Sequence, residues 1–233
     1  MPVTIHAAPV SDLKEEEIDR WRSVPVAVAV DLGRDIGQID PAIRPLRPAG
    51  QQPALFGRAV TALCEPPDFG AVLHALDVLR PGDVLVIAAS GHAETAMIGD
   101  ILGSHLRRRG GVGLVCDGAV RDTATLASWA DFPVYTRWVT PRGPSSAERG
   151  AVNLPVVIGG RLVTPGDLII GDDDGLVALQ PSTLRARIAD AEAKLAREAE
   201  WRASLEGGRS VRETFGLPPA RQQAATNGQG TAG

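Results

Sequence analysis

Three charged residues carry the strongest chemical suggestion in this chain. Asp100 opens the stretch GDILGSHLRRRGG, and Arg121 and Asp122 close GLVCDGAVRD just after it. Each group sits where an apolar run gives way to a helical pattern. VLVIAAS, residues 84–90, and VGLVCDG, residues 112–118, read as buried strands, and DILGSHLRRR reads as a helix stopped by Gly110-Gly111. In α/β proteins the carboxyl ends of strands are where ligands commonly bind. Two carboxylates there could hold a divalent cation, and an arginine fork could bind a carboxylate or an enolate oxygen. The first-turn amides of Asp100, Ile101 and Leu102 could also hold a ligand carboxylate, with Gly99 leaving the approach clear. Plainer roles stay open: Asp100 suits an acidic N-cap, and Arg121-Asp122 a local ion pair. Arg121 fits a plain role least, because a cation at a helix N-terminus opposes the macrodipole and needs an anion nearby.

The elements around these residues follow from turn chemistry and periodicity. RPGDVLVIAAS and TPGDLIIGDDDG each place Pro and Gly at the second and third positions of a type II turn, feeding an aliphatic strand. Gly159-Gly160 within LPVVIGGRLV marks a hairpin. RAVTALCE reads as a strand, DFGAVLHALDVL as a helix and FPVYTRWV as a further strand, whereas the alanines of VPVAVAVDLG leave strand and helix open. Residues 33–53, rich in Pro and Gly, read as an irregular connection. Hairpins mixed with crossover helices point to an α/β or α+β sandwich rather than a uniform doubly wound sheet. A single domain is expected over 1–216, with an N-terminal helical segment in 1–24 capped by Ser11 or Asp12, and a C-terminal helix over 182–206. On that helix Leu184, Ile188, Ala191 and Leu195 form one stripe that Glu198 continues. The small polar residues of 217–233 predict a disordered tail.

Composition narrows the function classes. The 233 residues carry a net charge of −4 and are 44% hydrophobic, so nothing resembles the basic face that nucleic acid needs. No apolar run approaches the ~20 residues of a membrane span, and no secretory leader is visible at the N-terminus, which predicts a cytoplasmic protein. Cys64 and Cys116 lie far apart, outside any CxxC pattern, and are expected to be free and buried. GDDDG lacks the alternation of a calcium loop, and no P-loop, GxGxxG or GxSxG motif is present. Lys14 and Lys194 are the only lysines and neither lies near the motifs above, which argues against a Schiff-base mechanism. His92 and His105 are candidates for surface or packing roles.

DGAVRD, the GD at the head of the preceding helix, VTPRGP and PGDLIIGDDDG together resemble the RraA-like family, and the similarity runs from about Ile39 to the final helix. That family includes divalent-metal-dependent 4-hydroxy-4-methyl-2-oxoglutarate and 4-carboxy-4-hydroxy-2-oxoadipate aldolases, as well as regulators of ribonuclease E. The resemblance implies an α/β fold, a swivelling β/β/α sandwich whose C-terminal helix packs on a neighbouring subunit of a homotrimer or hexamer. It implies Asp122 as the direct ligand of Mg²⁺ or Mn²⁺, and Arg121 as the residue that binds substrate and steadies an enolate oxygen. Gly99, Asp100, Ile101 and Leu102 resemble the turn whose amides grip a pyruvyl carboxylate. Asp100 would also hold a metal-bound water and relay a proton, and Glu198 would reach a neighbouring subunit's site through water. Thr140 and Arg142 are candidates for a distal carboxylate of the substrate. The implied activity is retro-aldol release of pyruvate from a 4-hydroxy-2-oxo di- or tricarboxylic acid, with oxaloacetate decarboxylation beside it. The other implied role is a non-catalytic regulator of a ribonuclease or helicase. AASGHAETAMIGD departs from the family's Gly- and Asp-rich wording, which bears on substrate identity.

Overall fold

The computed structural model describes residues 2–9, 13–33 and 36–221. The chain forms two compact units, Met1–Glu192 and Ala193–Gly233. The first opens with β1 (Thr4–Ile5), the short helices α1 (Glu15–Asp19) and α2 (Val26–Val30), and strands β2 (Gly37–Gln38) and β3 (Arg44–Pro45). There follow β4 (Leu55–Leu63), α3 (Gly70–Val78), β5 (Asp83–Ala88), β6 (Ala96–Ile98), α4 (Asp100–Arg108), β7 (Gly113–Val120), α5 (Thr123–Ser128) and β8 (Val134–Val139). β9 (Ala151–Val152), β10 (Val156–Ile158), β11 (Arg161–Val163), β12 (Leu168–Asp172) and β13 (Gly175–Leu179) complete the strands. α6 (Pro181–Glu206) and α7 (Val211–Phe215) end the described chain.

The large sheet runs β2-β13-β12-β4-β5-β7-β8-β3. Its centre, β4-β5-β7-β8, is parallel and its flanks are antiparallel. Helices α3, α4 and α5 occupy the connections between the parallel strands. β5 and β7 are buried almost end to end, as expected of parallel strands covered on both faces. On one face Leu85, Ile87, Leu114 and Cys116 pack with Ala75 and Leu76 of α3, Leu106 of α4 and Leu126 of α5. On the other, Val84, Val86 and Val115 meet Val156, Ile158 and Val163 of the β10–β11 hairpin. The layers are therefore β/β/α, a mixed α/β fold. The sheet also curls: the Tyr135 hydroxyl on β8 donates to the Asp172 carbonyl on β12 at 2.9 Å, and Gly171 leaves it room.

Both Pro-Gly-Asp turns have their glycine in the left-handed region, Gly82 at φ 89° and Gly166 at φ 88°, and Gly159 and Gly160 turn the hairpin with φ of 49° and 75°. VAVAV resolves as the helix α2, whose first amide, that of Val26, donates to Asp172 Oδ2 at 2.9 Å. Among the described residues of 1–24 only Glu15–Asp19 is helical, and Thr4–Ile5 is a strand paired with β9. Glu17 there accepts from the Lys14 amide, and the Arg185 guanidinium holds its carboxyl down to about 2. The proposed caps Ser11 and Asp12 lie outside the described residues, as do 222–233 of the expected tail.

Leu184, Ile188 and Ala191 bury one stripe of α6 in the first unit, where the Trp21 indole donates to the Leu184 carbonyl. In the second unit, Trp201 packs against Phe215 of α7 with ring centroids 4.9 Å apart and the planes tilted by 57°.

Candidate active site

The candidate site is made where two parallel strands end together. β6, which sequence patterning left as loop, pairs with the last residues of β7, Ala96 with Ala119 and Ile98 with Val120. The Ile98 carbonyl then accepts from the Arg121 amide at 3.1 Å, which locks the Gly99 turn to the Arg121-Asp122 turn. Thr140 and Arg142 support the same strand ends through their backbones: the Thr140 amide donates to the Val120 carbonyl, and the Ala96 amide to the Arg142 carbonyl.

Asp122 stands at the head of α5 with φ 56° and ψ 39°. That left-handed posture is tolerated by Asp better than by most residues but still costs on the order of 1 kcal/mol. Its carboxylate does not cap its own helix. Instead Oδ2 accepts from the Asp100 amide at 3.2 Å and lies 3.5 Å from Arg121 Nε. The anion that Arg121 needs is thus its sequence neighbour, turned back by the strained backbone. Oδ1 of Asp122 has no protein partner among the described residues.

Gly99 is the N-cap of α4, in extended backbone, and Asp100 is the first helical residue rather than the cap. A side chain at Gly99 would overlap Asp122 Oδ2 and come within 2.9 Å of Arg121 Cγ. Its absence makes room first for the protein's own carboxylate. Gly143 plays a similar part, since a Cβ there would lie 2.5 Å from an Arg121 terminal nitrogen. The first bond inside α4 runs from the Gly103 amide to the Gly99 carbonyl. The amides of Ile101 and Leu102 are therefore first-turn donors without an acceptor among the described residues. Both residues line a pocket of about 300 Å³ together with Asp100, Arg121 and Asp122.

The pocket lining also includes Phe69 at the head of α3 and Pro144 in the loop after β8. A residue that sequence patterning missed ties these together. Asp68 is fully buried and accepts from the Ser146 hydroxyl and from the amides of Gly70, Glu148 and Arg149, at 2.8–3.0 Å for the amides. Burial pushes its carboxyl up, but these donors outweigh it and hold it well below the usual carboxylate range. Asp68 two residues ahead of Gly70 and its helical run was the available signal. A second missed group is Asp117, nearly buried on β7. It pairs with Arg137 Nε at 2.6 Å and accepts from the Gly159 amide at 2.8 Å, while Arg137 reaches on to Asp40. It pins the hairpin to the sheet.

Glu198 belongs to the second unit, where it pairs with Lys194 at 3.2 Å, one turn before it. One of the two lysines set aside from the sequence is thus a close neighbour of a candidate residue. His92 is half-buried, with Nε2 unpartnered among the described residues. Cys64 and Cys116 are free and buried, and burial raises both thiols, Cys64 to about 12.

No three His, Cys, Asp or Glu side chains converge into a metal cluster among the described residues. The free Oδ1 of Asp122, with Asp100 beside it, instead fits the manner in which Mg²⁺ and Mn²⁺ are held, by one or two carboxylates plus waters and substrate oxygens. No described helix is long and apolar enough to cross a membrane.

Fold and site together define a mixed α/β protein with two aspartates and an arginine at the ends of parallel strands. The chain belongs to the RraA-like family: the Aldolase/RraA model matches residues 10–178. A relative from Halalkalibacterium halodurans, named "Putative 4-hydroxy-4-methyl-2-oxoglutarate aldolase", is 32% identical over 170 residues, covering 72% of this chain and 79% of the relative. Among solved structures, Streptomyces coelicolor RraAS2, described as an unusual member of the RNase ES inhibitor RraA family, is 29% identical with a TM-score of 0.71. That match covers 82% of this chain and 98% of the other. An uncharacterised protein from Pseudomonas syringae shares the fold with a TM-score of 0.77 at 24% identity, over 88% of this chain and all of the other.

Proposed function

We propose that this protein is a divalent-metal-dependent lyase that cleaves the C3–C4 bond of a 4-hydroxy-2-oxo acid and releases pyruvate. The observation that supports this best is the posture of Asp122, whose strained backbone holds one carboxylate oxygen on Asp100 and Arg121 and leaves the other free. The relative's aldolase name points the same way. Asp122 would hold Mg²⁺ or Mn²⁺ through Oδ1; when bound, the cation supplies Lewis-acid stabilisation of charge on the substrate's 2-oxo oxygen.

The rest is done by the chain's own groups. The amides of Ile101 and Leu102 bind the carboxylate at the head of α4. Arg121 places its guanidinium where negative charge grows as the bond breaks. The C4 hydroxyl loses its proton to a water held by Asp100, the C3–C4 pair passes to C3, and the same water returns a proton there. Glu198 would be a second holder of that water, supplied by a neighbouring copy in a homotrimer or hexamer. Loss of carbon dioxide from oxaloacetate would use the same groups.

The rival role is a regulator that binds a ribonuclease or helicase, which the description of the Streptomyces structure favours. The two are separated by Mn²⁺ binding followed by electron paramagnetic resonance, together with pyruvate release from 4-hydroxy-4-methyl-2-oxoglutarate. A lyase binds one Mn²⁺ that Asp122→Ala abolishes and releases pyruvate; a regulator does neither.

A further inference from the structure

The pocket has a mostly apolar lining, with Asp100, Arg121 and Asp122 its charged residues. Beyond Asp100, Arg121 and Asp122, its wall is Phe69 and Leu73 from the head of α3, Met97 on β6, Ile101 and Leu102 on α4, and Pro144. Arg121 is the sole cation lining it among the described residues, facing two carboxylates. Thr140 and Arg142, the sequence candidates for a distal carboxylate, do not line the pocket: Arg142 is exposed, and the Thr140 hydroxyl is 3.5 Å from the Glu94 carbonyl.

We infer that the acid taken by this pocket carries an apolar alkyl or aryl group on C4 and not a second carboxylate. The inference rests on the lyase function proposed above and sharpens its substrate class. Arg121 and the free amides are all committed to the 2-oxo-carboxylate end. A second carboxylate against Phe69 and Leu73 would find no cation among the described lining residues beyond Arg121. Stripping water from an unpaired charge in such a place is strongly unfavourable. An alkyl or phenyl group instead removes apolar surface from water against the same wall. At about 300 Å³ the space lies at the small end of ligand pockets and suits an acid of this size. In the reaction the C3–C4 bond breaks and the C4 hydroxyl gives up its proton to become the carbonyl of an apolar aldehyde or ketone. The bonding pair passes to C3 as pyruvate enolate, which takes up one proton.

The test compares kcat/KM, with Mg²⁺, for 4-hydroxy-2-oxo-4-phenylbutanoate and 4-hydroxy-4-methyl-2-oxoglutarate. Calorimetry of 2-oxo-4-phenylbutanoate and 2-oxoglutarate gives binding alone. The phenyl compounds are expected to lead by at least about tenfold in both, and Leu73→Arg, on a half-buried position, should narrow or reverse the gap. Faster cleavage of the glutarate would overturn the inference while leaving the lyase function standing. If neither compound yields pyruvate, the lyase function falls. Binding then decides the pocket: a tenfold phenyl preference supports the apolar C4 group, and equal or weaker phenyl binding overturns it.

Discussion

Asp122 caps a helix that is not its own: its Oδ2 accepts from the Asp100 amide at the head of α4, 3.2 Å away, while α5 behind it has no side-chain cap. The bond joins two successive strand-to-helix turns and fixes the direction of the free carboxylate oxygen. Gly99 permits it by leaving the space that Asp122 and Arg121 fill.

Gly99→Ala should therefore damage the site without damaging the fold. The methyl group displaces two partly exposed side chains and no core residue. Displacements of this kind cost about 100-fold in turnover, with the melting temperature changed little. Steady-state kinetics beside thermal unfolding check this, and near-normal turnover would show that the Asp122 posture is not needed.

Asp68→Asn should lower stability by about 2–4 kcal/mol at neutral pH, through loss of charge-assisted hydrogen bonds to a buried carboxylate. Because the folded-state value is depressed, the stabilisation is fully present above the ordinary carboxylate range and is lost as pH falls below about 4. Urea unfolding at pH 7, 5 and 3 should show that decline in the native protein and a flatter profile in the variant. Parallel profiles would contradict the assignment.

Arg137→Met strands Asp117, whose side chain is 8% exposed, without its cation. A loss of about 3–5 kcal/mol is expected, because an uncompensated buried charge costs more than the pair contributes. Adding Asp117→Asn should recover part of it. Denaturant melts of the single and double variants measure both steps, and a double variant no better than Arg137→Met would rule out the stranded charge as the cause.

Cys64 and Cys116 should resist iodoacetamide at pH 8 in the native protein and react promptly in urea, since burial withholds the thiolate. Mass spectrometry of the two states reads this directly. A thiol labelled at the unfolded rate in native protein would contradict its burial.

Much of the fold is legible because its signals are local. The aliphatic runs of β5 and β7 announce covered strands, and the Pro-Gly-Asp and Gly159-Gly160 turns need glycine where φ is positive. Both site turns follow from the same strand-turn-helix wording. What was hidden depends on contacts distant in sequence. VAVAV becomes a helix with its first amide answered by Asp172, 146 positions on. Asp68 acts through a loop some 80 residues later, and β6 exists because β7 offers it an edge. The left-handed backbone of Asp122 has no signature in the residue types around it. Spacing therefore located the three charged residues but left open what Gly99 makes room for.

The central claim is metal-dependent pyruvate release at Asp122, and one assay addresses it: pyruvate formed from 4-hydroxy-2-oxo acids and oxaloacetate, by native protein, Arg121→Ala and Asp122→Ala, with Mg²⁺ or with EDTA. Turnover in native protein that EDTA removes and Mg²⁺ restores, with both variants down by at least about 100-fold, is the predicted result. Turnover that survives EDTA, or that survives loss of Asp122, would contradict it.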